Sequence, residues 1–311
     1  VPIDLDLTDV QRAVASSVDR FCQDLCTDRV ARAAADEFPS HLWRALGDLG
    51  VLAMATPLGS GGAQEIAVAA SILGKALFPG PLAASFFATQ VLADVDRDRV
   101  ARGEALVSVG VPPIMPWATV ATYYLQVEER RVYSVRPKSS AVPVPTLGGV
   151  PWGRVDLQRV ASLGDVTRAL ALHDVALAAY LVGAAQRLLD LACDHARARR
   201  QFGRSIGDFQ AVSHPLADCA MRLAGARALA LRAAFCVDRD DASAPRRASA
   251  ARISAATAAA RTLLVGHQTF GALGATVEGP VYPIAIRIRQ LVSDPVGRAA
   301  GYDSILTQFG L

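Results

Sequence analysis

The stretch Asp194-His195-Ala196-Arg197-Ala198-Arg199-Arg200-Gln201-Phe202-Gly203-Arg204-Ser205-Ile206-Gly207-Asp208-Phe209-Gln210-Ala211-Val212 turns one helix into the next. Alanine and arginine are strong helix formers, so the approach to Gly203 reads as the end of a helix. Glycine enters left-handed backbone at little cost and lets the chain turn there. The helical pattern restarts near Asp208 and runs on through His214, Leu216, Ala217 and Asp218. Outward from this turn, about Leu172 to Arg289 is dense in Ala, Leu and Arg. Long periodic runs of that kind bury one face against neighbouring helices, which predicts an antiparallel bundle.

Two further regions precede it. Up to about Asp98 the pattern is helical with short breaks. Leu7-Thr8-Asp9-Val10-Gln11 reads as an N-cap, Phe38-Pro39-Ser40 opens another helix, and Gly59-Ser60-Gly61-Gly62 is a loop before a third. From about Glu104 to Leu170 the character changes. Ala105–Val111, Thr122–Val127 and Arg131–Val135 are short runs rich in Val and Tyr, bounded by prolines and charged turns, and they predict strands of a small, loop-rich sheet. The fold class expected is mainly α with a small β domain. Its parts are an N-terminal helical domain (1–103), a reduced middle β domain (104–170) and a C-terminal four-helix bundle (171–311).

Composition narrows the function. The chain has 311 residues, 52% of them hydrophobic, which suffices for a substantial core and excludes a disordered chain. Net charge is only +3 with no long block of like charges, which argues against a nucleic-acid partner. Cys22, Cys26, Cys193, Cys219 and Cys236 fit neither a disulfide framework nor a zinc site, and read as small core residues of a reducing cytoplasm. Val1–Leu7 carries Asp4 and Asp6 and does not read as a leader, and charges or glutamines interrupt the alanine-rich stretches. A soluble, cytoplasmic protein without metal or membrane association is expected.

The Arg199-x-Gln201-Phe202-Gly203 segment with its Phe209-Gln210 pair closely resembles the acyl-CoA dehydrogenase signature. His267-Gln268-Thr269-Phe270-Gly271-Ala272-Leu273-Gly274 is similar to the Gln-x-x-Gly-Gly-x-Gly turn of that superfamily, with Ala272 replacing the second glycine. Leu42-Trp43, Leu49-Gly50-Val51, Pro57 and Gly59–Gly62 look like its opening helical domain. The resemblance implies a shortened superfamily member that works in an oligomer. It also implies that Arg199, Gln201, Phe202, Gln210, Gln268 and Gly271 contribute to an FAD site across a subunit boundary. Chemistry supports those residue types, since a guanidinium fork matches a pyrophosphate and a glycine turn lets backbone N–H groups approach phosphate oxygens. Without the resemblance, Arg197, Arg199, Arg200 and Arg204 would read as a solvated helix end, with Phe202 and Phe209 as core.

The chain also departs from the family pattern. Complete members place a catalytic glutamate in a Glu-Gly-Thr segment beyond the glycine turn. The corresponding segment here, Asp294–Asp303, carries none, and Glu278-Gly279-Pro280 lies too close to the turn. A minority take their base from the start of the helix preceding the arginine motif, where this chain has His173-Asp174, and that pair is the candidate catalytic group. The middle region, at Val111-Pro112-Pro113-Ile114-Met115-Pro116-Trp117, lacks the family's flavin-ring segments. The implied function is FAD-dependent α,β-dehydrogenation of an acyl-CoA or carrier-bound acyl thioester. The chain would serve as a subunit completing an FAD site, in a homo- or hetero-oligomer with a full-length dehydrogenase subunit, passing electrons to an electron-transfer partner. The alternatives are a non-flavin thioester enzyme (dehydratase or isomerase) and a non-catalytic binding subunit.

Overall fold

The computed structural model describes residues 6–26, 38–128, 131–146 and 151–296. Residues 297–303 of the Asp294–Asp303 segment lie outside them, as do Asp4 and the start of the chain. Helix α1 (Asp9–Leu25) begins on a reciprocal cap: Gln11 N–H donates to Thr8 Oγ1 at 3.2 Å and Thr8 N–H to Gln11 Oε1 at 3.1 Å. Among the described residues of the N-terminal part, four more α-helices follow: α2 (Ser40–Asp48), α3 (Ala63–Lys75), α4 (Leu82–Ala88) and α5 (Asp94–Ala101).

One glycine of the loop Gly59–Gly62 faces a distant residue. The Asp238 carboxylate accepts from Ala63 N–H at 2.6 Å and from Gln64 N–H at 3.1 Å, so it caps the positive end of α3. A Cβ at Gly62 would stand 2.3 Å from that carboxylate, so only glycine fits.

Seven strands follow among the described residues. β1 (Val107–Gly110), β3 (Tyr123–Glu128), β4 (Arg131–Pro137) and β7 (Leu157–Asp165) form one sheet in the order β1-β3-β4-β7, parallel at its first pair and antiparallel elsewhere. β2 (Ile114–Met115), β6 (Trp152–Arg154) and β5 (Val142–Val144) form a smaller antiparallel sheet. β7 carries little periodicity because most of its residues are exposed on both faces, so no apolar alternation marks it. It leads straight into α6 (Thr167–Ala198), where Asp165 Oδ1 accepts from Thr167 N–H at 2.9 Å and starts the helix earlier than the Leu172 read from composition.

Helices α6, α7 (Gln210–Asp238), α8 (Ala244–Phe270) and α10 (Tyr282–Val292) make the bundle, with the single-turn α9 (Ala272–Ala275) between the last two. α6 is its centre, packed against α3, α4, α7, α8 and α10. By length and composition α6 would pass for a membrane span, yet 78% of its most apolar window is buried inside the protein, as befits a core helix. Gly74 of α3 and Gly183 of α6 let the two backbones touch: added Cβ atoms would lie 2.1 Å from Tyr180 O and 1.9 Å from Ser71 O respectively. The expected fold class is the one observed.

Candidate functional site

Two places gather the candidate residues. The first is the end of the bundle. Arg199 caps α6, its backbone N–H donating to His195 O at 2.8 Å. β8 (Arg200–Gln201) and β9 (Arg204–Ser205) then form a hairpin around Phe202-Gly203. Both loop residues have positive φ, 53° and 80°, the geometry of a type I′ turn. Glycine accepts this; phenylalanine does so under strain. The strained ring is nonetheless 92% exposed, so Phe202 is not a core residue. It meets Phe209 edge-on at 6.1 Å, and the Arg204 guanidinium covers the Phe209 ring at 4.0 Å.

Gln201, Phe202, Phe209, Leu264, Gln268 and their neighbours line one open groove of about 1430 Å³ between this hairpin, α7 and α8. The structure thus brings Gln201, Phe202 and Gln268 together. Arg199, Gln210 (the first residue of α7) and Gly271 are exposed nearby but outside the lining. Gly271 has φ 60° and ψ −133°, with open space where a Cβ would be, so its backbone conformation rather than crowding demands glycine. His195 at the end of α6 stacks on Phe270 at 4.5 Å and ties the two motifs together. Burial and the neighbouring Arg199 cation both push the His195 imidazole below its usual range.

Because the hairpin loop favours Asn-Gly, Phe202→Asn should raise the stability of the isolated chain by about 1 kcal/mol. Thermal melting checks it; a lower melting temperature would show that the ring is held in place by the fold itself.

The second place is a cleft where α4, β1, α6 and α10 meet. Among its lining residues are Pro81, Val109, Trp117, His173, Tyr180, Arg287 and Asp294. His173 and Asp174 are both buried, but they do different things. Asp174 faces away from the cleft: its carboxylate accepts from Arg252 Nη1 at 3.0 Å and Ser249 Oγ at 3.1 Å, and lies 3.3 Å from His173 Nδ1. With Nδ1–H directed at that carboxylate, a tautomer assigned from the network, His173 presents Nε2 as an acceptor. Nε2 lies 3.8 Å from Asp294 Oδ1, beyond hydrogen-bond range. Sequence reading did not single out Arg252, Arg287 or Tyr180, and it read Asp294 only as part of a segment lacking glutamate. Their chain positions are far apart and carry no local signature.

Family models described as acyl-CoA dehydrogenase N-terminal domain and acyl-CoA dehydrogenase C-terminal domain match residues 8–94 and 164–291, the two helical parts on either side of the sheets. The chain belongs to the acyl-CoA dehydrogenase family of oxidoreductases. Acyl-CoA dehydrogenase IpdE2 of Mycobacterium tuberculosis is 31% identical over 281 residues, covering 80% of each chain. A chain of the ChsE4-ChsE5 complex of Mycobacterium tuberculosis shares the fold with a TM-score of 0.84, at 22% identity over 98% of this chain and 99% of that one. PigA with FAD and proline superposes with a TM-score of 0.85, at 18% identity over 99% of this chain and 100% of that one.

Proposed function

We propose that this chain is a subunit of an oligomeric FAD-dependent acyl-thioester dehydrogenase, and that the end of its bundle completes an FAD site across a subunit boundary. The observation that carries this is Phe202. A ring 92% exposed on a strained turn, beside an apolar groove, is costly to an isolated chain and useful to one that meets a ligand or a neighbour. Met221 and Leu229 of α7 and Leu264 of α8 extend the exposed apolar surface. Family membership supports the reading, as does the common fold with a chain from a two-component complex and with a protein solved with FAD.

The donors present fit the dinucleotide. The Arg199 guanidinium and the Gln201 and Gln268 amides match phosphate and ribityl oxygens. Open space at Gly203 and Gly271 admits close backbone approach. His267 Nε2, beside the 268–271 turn, is buried with no hydrogen-bond partner among the described residues. FAD, when bound, supplies the hydride acceptor for the thioester β-carbon. Residues 173 and 199 stand about 39 Å apart along α6, so the flavin serving this cleft would be completed by another protomer's bundle end. There His173 would take the α-proton at Nε2, and Asp174 would hold its ring and stabilise the imidazolium. Trp117, Leu177 and Val109 give the cleft an apolar wall.

The test is flavin occupancy. Co-expressed with a full-length dehydrogenase subunit, or as a self-associated oligomer, the protein should purify yellow. Arg199→Ala should lower flavin content about tenfold or more at equal folding by circular dichroism. Unchanged flavin content in Arg199→Ala would remove the cross-boundary role. Absence of flavin from every assembly would favour a non-flavin thioester enzyme on this scaffold.

A further inference from the structure

Among the described residues, Arg287 is a buried cation without an anion. It projects from α10, is only 8% exposed and lines the cleft. No carboxylate, carbonyl or other acceptor among the described residues hydrogen-bonds or ion-pairs with its guanidinium. The carboxylate in the cleft wall, Asp294, is engaged elsewhere: Oδ1 accepts from Val296 N–H at 2.9 Å and faces Arg252 Nη2 at 3.6 Å. The Tyr180 hydroxyl donates to Phe78 O at 2.8 Å. Buried arginines are ordinarily paired, because an unpaired one sacrifices hydration without recovering it. Arg252 shows the ordinary case in the same protein, with a carboxylate and two carbonyls around it.

The cleft has two polar ends. His173 and Tyr180 are seven residues apart on α6, about 10 Å along its axis. Asp294 lies at the His173 end. Arg287 lies at the Tyr180 end, where burial pushes the phenol up to about 12 against the pull of the Arg287 cation. Ala176, Leu177 and Leu291 make the stretch between them apolar.

We infer that Arg287 receives a carboxylate carried on the acyl chain, so that the preferred substrate is an ω-carboxyacyl thioester. The inference rests on the acyl-thioester reading above. The reacting carbons sit by His173 and the distal carboxylate about 10 Å away, which a guanidinium fork grips through two oxygens.

Titration calorimetry of the protein as purified tests this with three probes: an ω-carboxyacyl-CoA, the methyl-ended acyl-CoA of equal length, and the free dicarboxylate. Wild type should prefer the first thioester over the second by about tenfold to a hundredfold. Arg287→Met should abolish that preference and, because it removes an unpaired buried charge, melt higher than wild type without ligand. A merely structural arginine would lower the melting temperature instead. Equal affinity for the two thioesters in wild type, or an unchanged preference in Arg287→Met, overturns the inference and leaves the thioester reading standing. Binding of the free dicarboxylate alone, lost in Arg287→Met, keeps the anion site and overturns the thioester reading.

Discussion

Arg252→Ala lowers the unfolding free energy by about 3–5 kcal/mol, the cost of leaving a buried charge without its partner. Arg252 is 7% exposed on α8, and one guanidinium holds three acceptors: Asp174 Oδ1 at 3.0 Å, Asp294 O at 2.6 Å and Val296 O. Truncation strands the Asp174 carboxylate in the bundle and releases the segment that closes the cleft beside His173. Arg252→Lys should recover little, because an ammonium lacks the planar fork that spans these acceptors. The double variant Asp174→Leu/Arg252→Met should be more stable than either single one, since it removes both charges. Urea unfolding at constant slope measures the wild type and each of these variants. A loss below about 1 kcal/mol in Arg252→Ala would mean that the network is solvated and merely superficial.

Gly183→Val costs about 3 kcal/mol or more, at the upper end of overpacking effects, because both α3 and α6 must move. The clash is with backbone, Ser71 O at 1.9 Å and Lys75 N at 2.9 Å from the added Cβ, so no rotamer relieves it. Helix propensity predicts the opposite sign for Gly183→Ala, a gain of about 1 kcal/mol, and the two effects therefore compete openly there. Packing should win at Gly183. At exposed Gly225 of α7, where a Cβ meets nothing within 4 Å, propensity should win and Gly225→Ala should stabilise. Equal signs at the two glycines in denaturant titrations would refute the close crossing. Because α6 carries His173 and Tyr180, Gly183→Val should also weaken thioester binding.

The β-hairpin at 200–205 was not legible: helix formers up to Gly203 read as helix, whereas α6 ends at Ala198 and two short strands follow. The turn at Gly203 was legible, because its signals are local. The three strands β1, β3 and β4 were legible for the same reason, through Val and Tyr bounded by turns. β7 was not, since a strand exposed on both faces leaves no alternation to read. The candidate site divided along the same line. Gln201, Phe202 and Gln268 come from two motifs one bundle helix apart and do share a groove. His173 and Asp174 are adjacent in sequence but turn to different neighbours, one lining the cleft and the other bound to Arg252.

By itself the amino-acid order determined the helical domain, the small sheet, the bundle and the place of the glycine turns. Each is set by periodicity and backbone preference within a dozen residues. Only the tertiary structure decided which charges have partners. Asp238 caps α3 from 175 residues away, Arg252 joins Asp174 across 78, and Arg287 lines the cleft with no partner among the described residues. Desolvation makes those pairings count, and desolvation is a property of the packed interior rather than of any short segment.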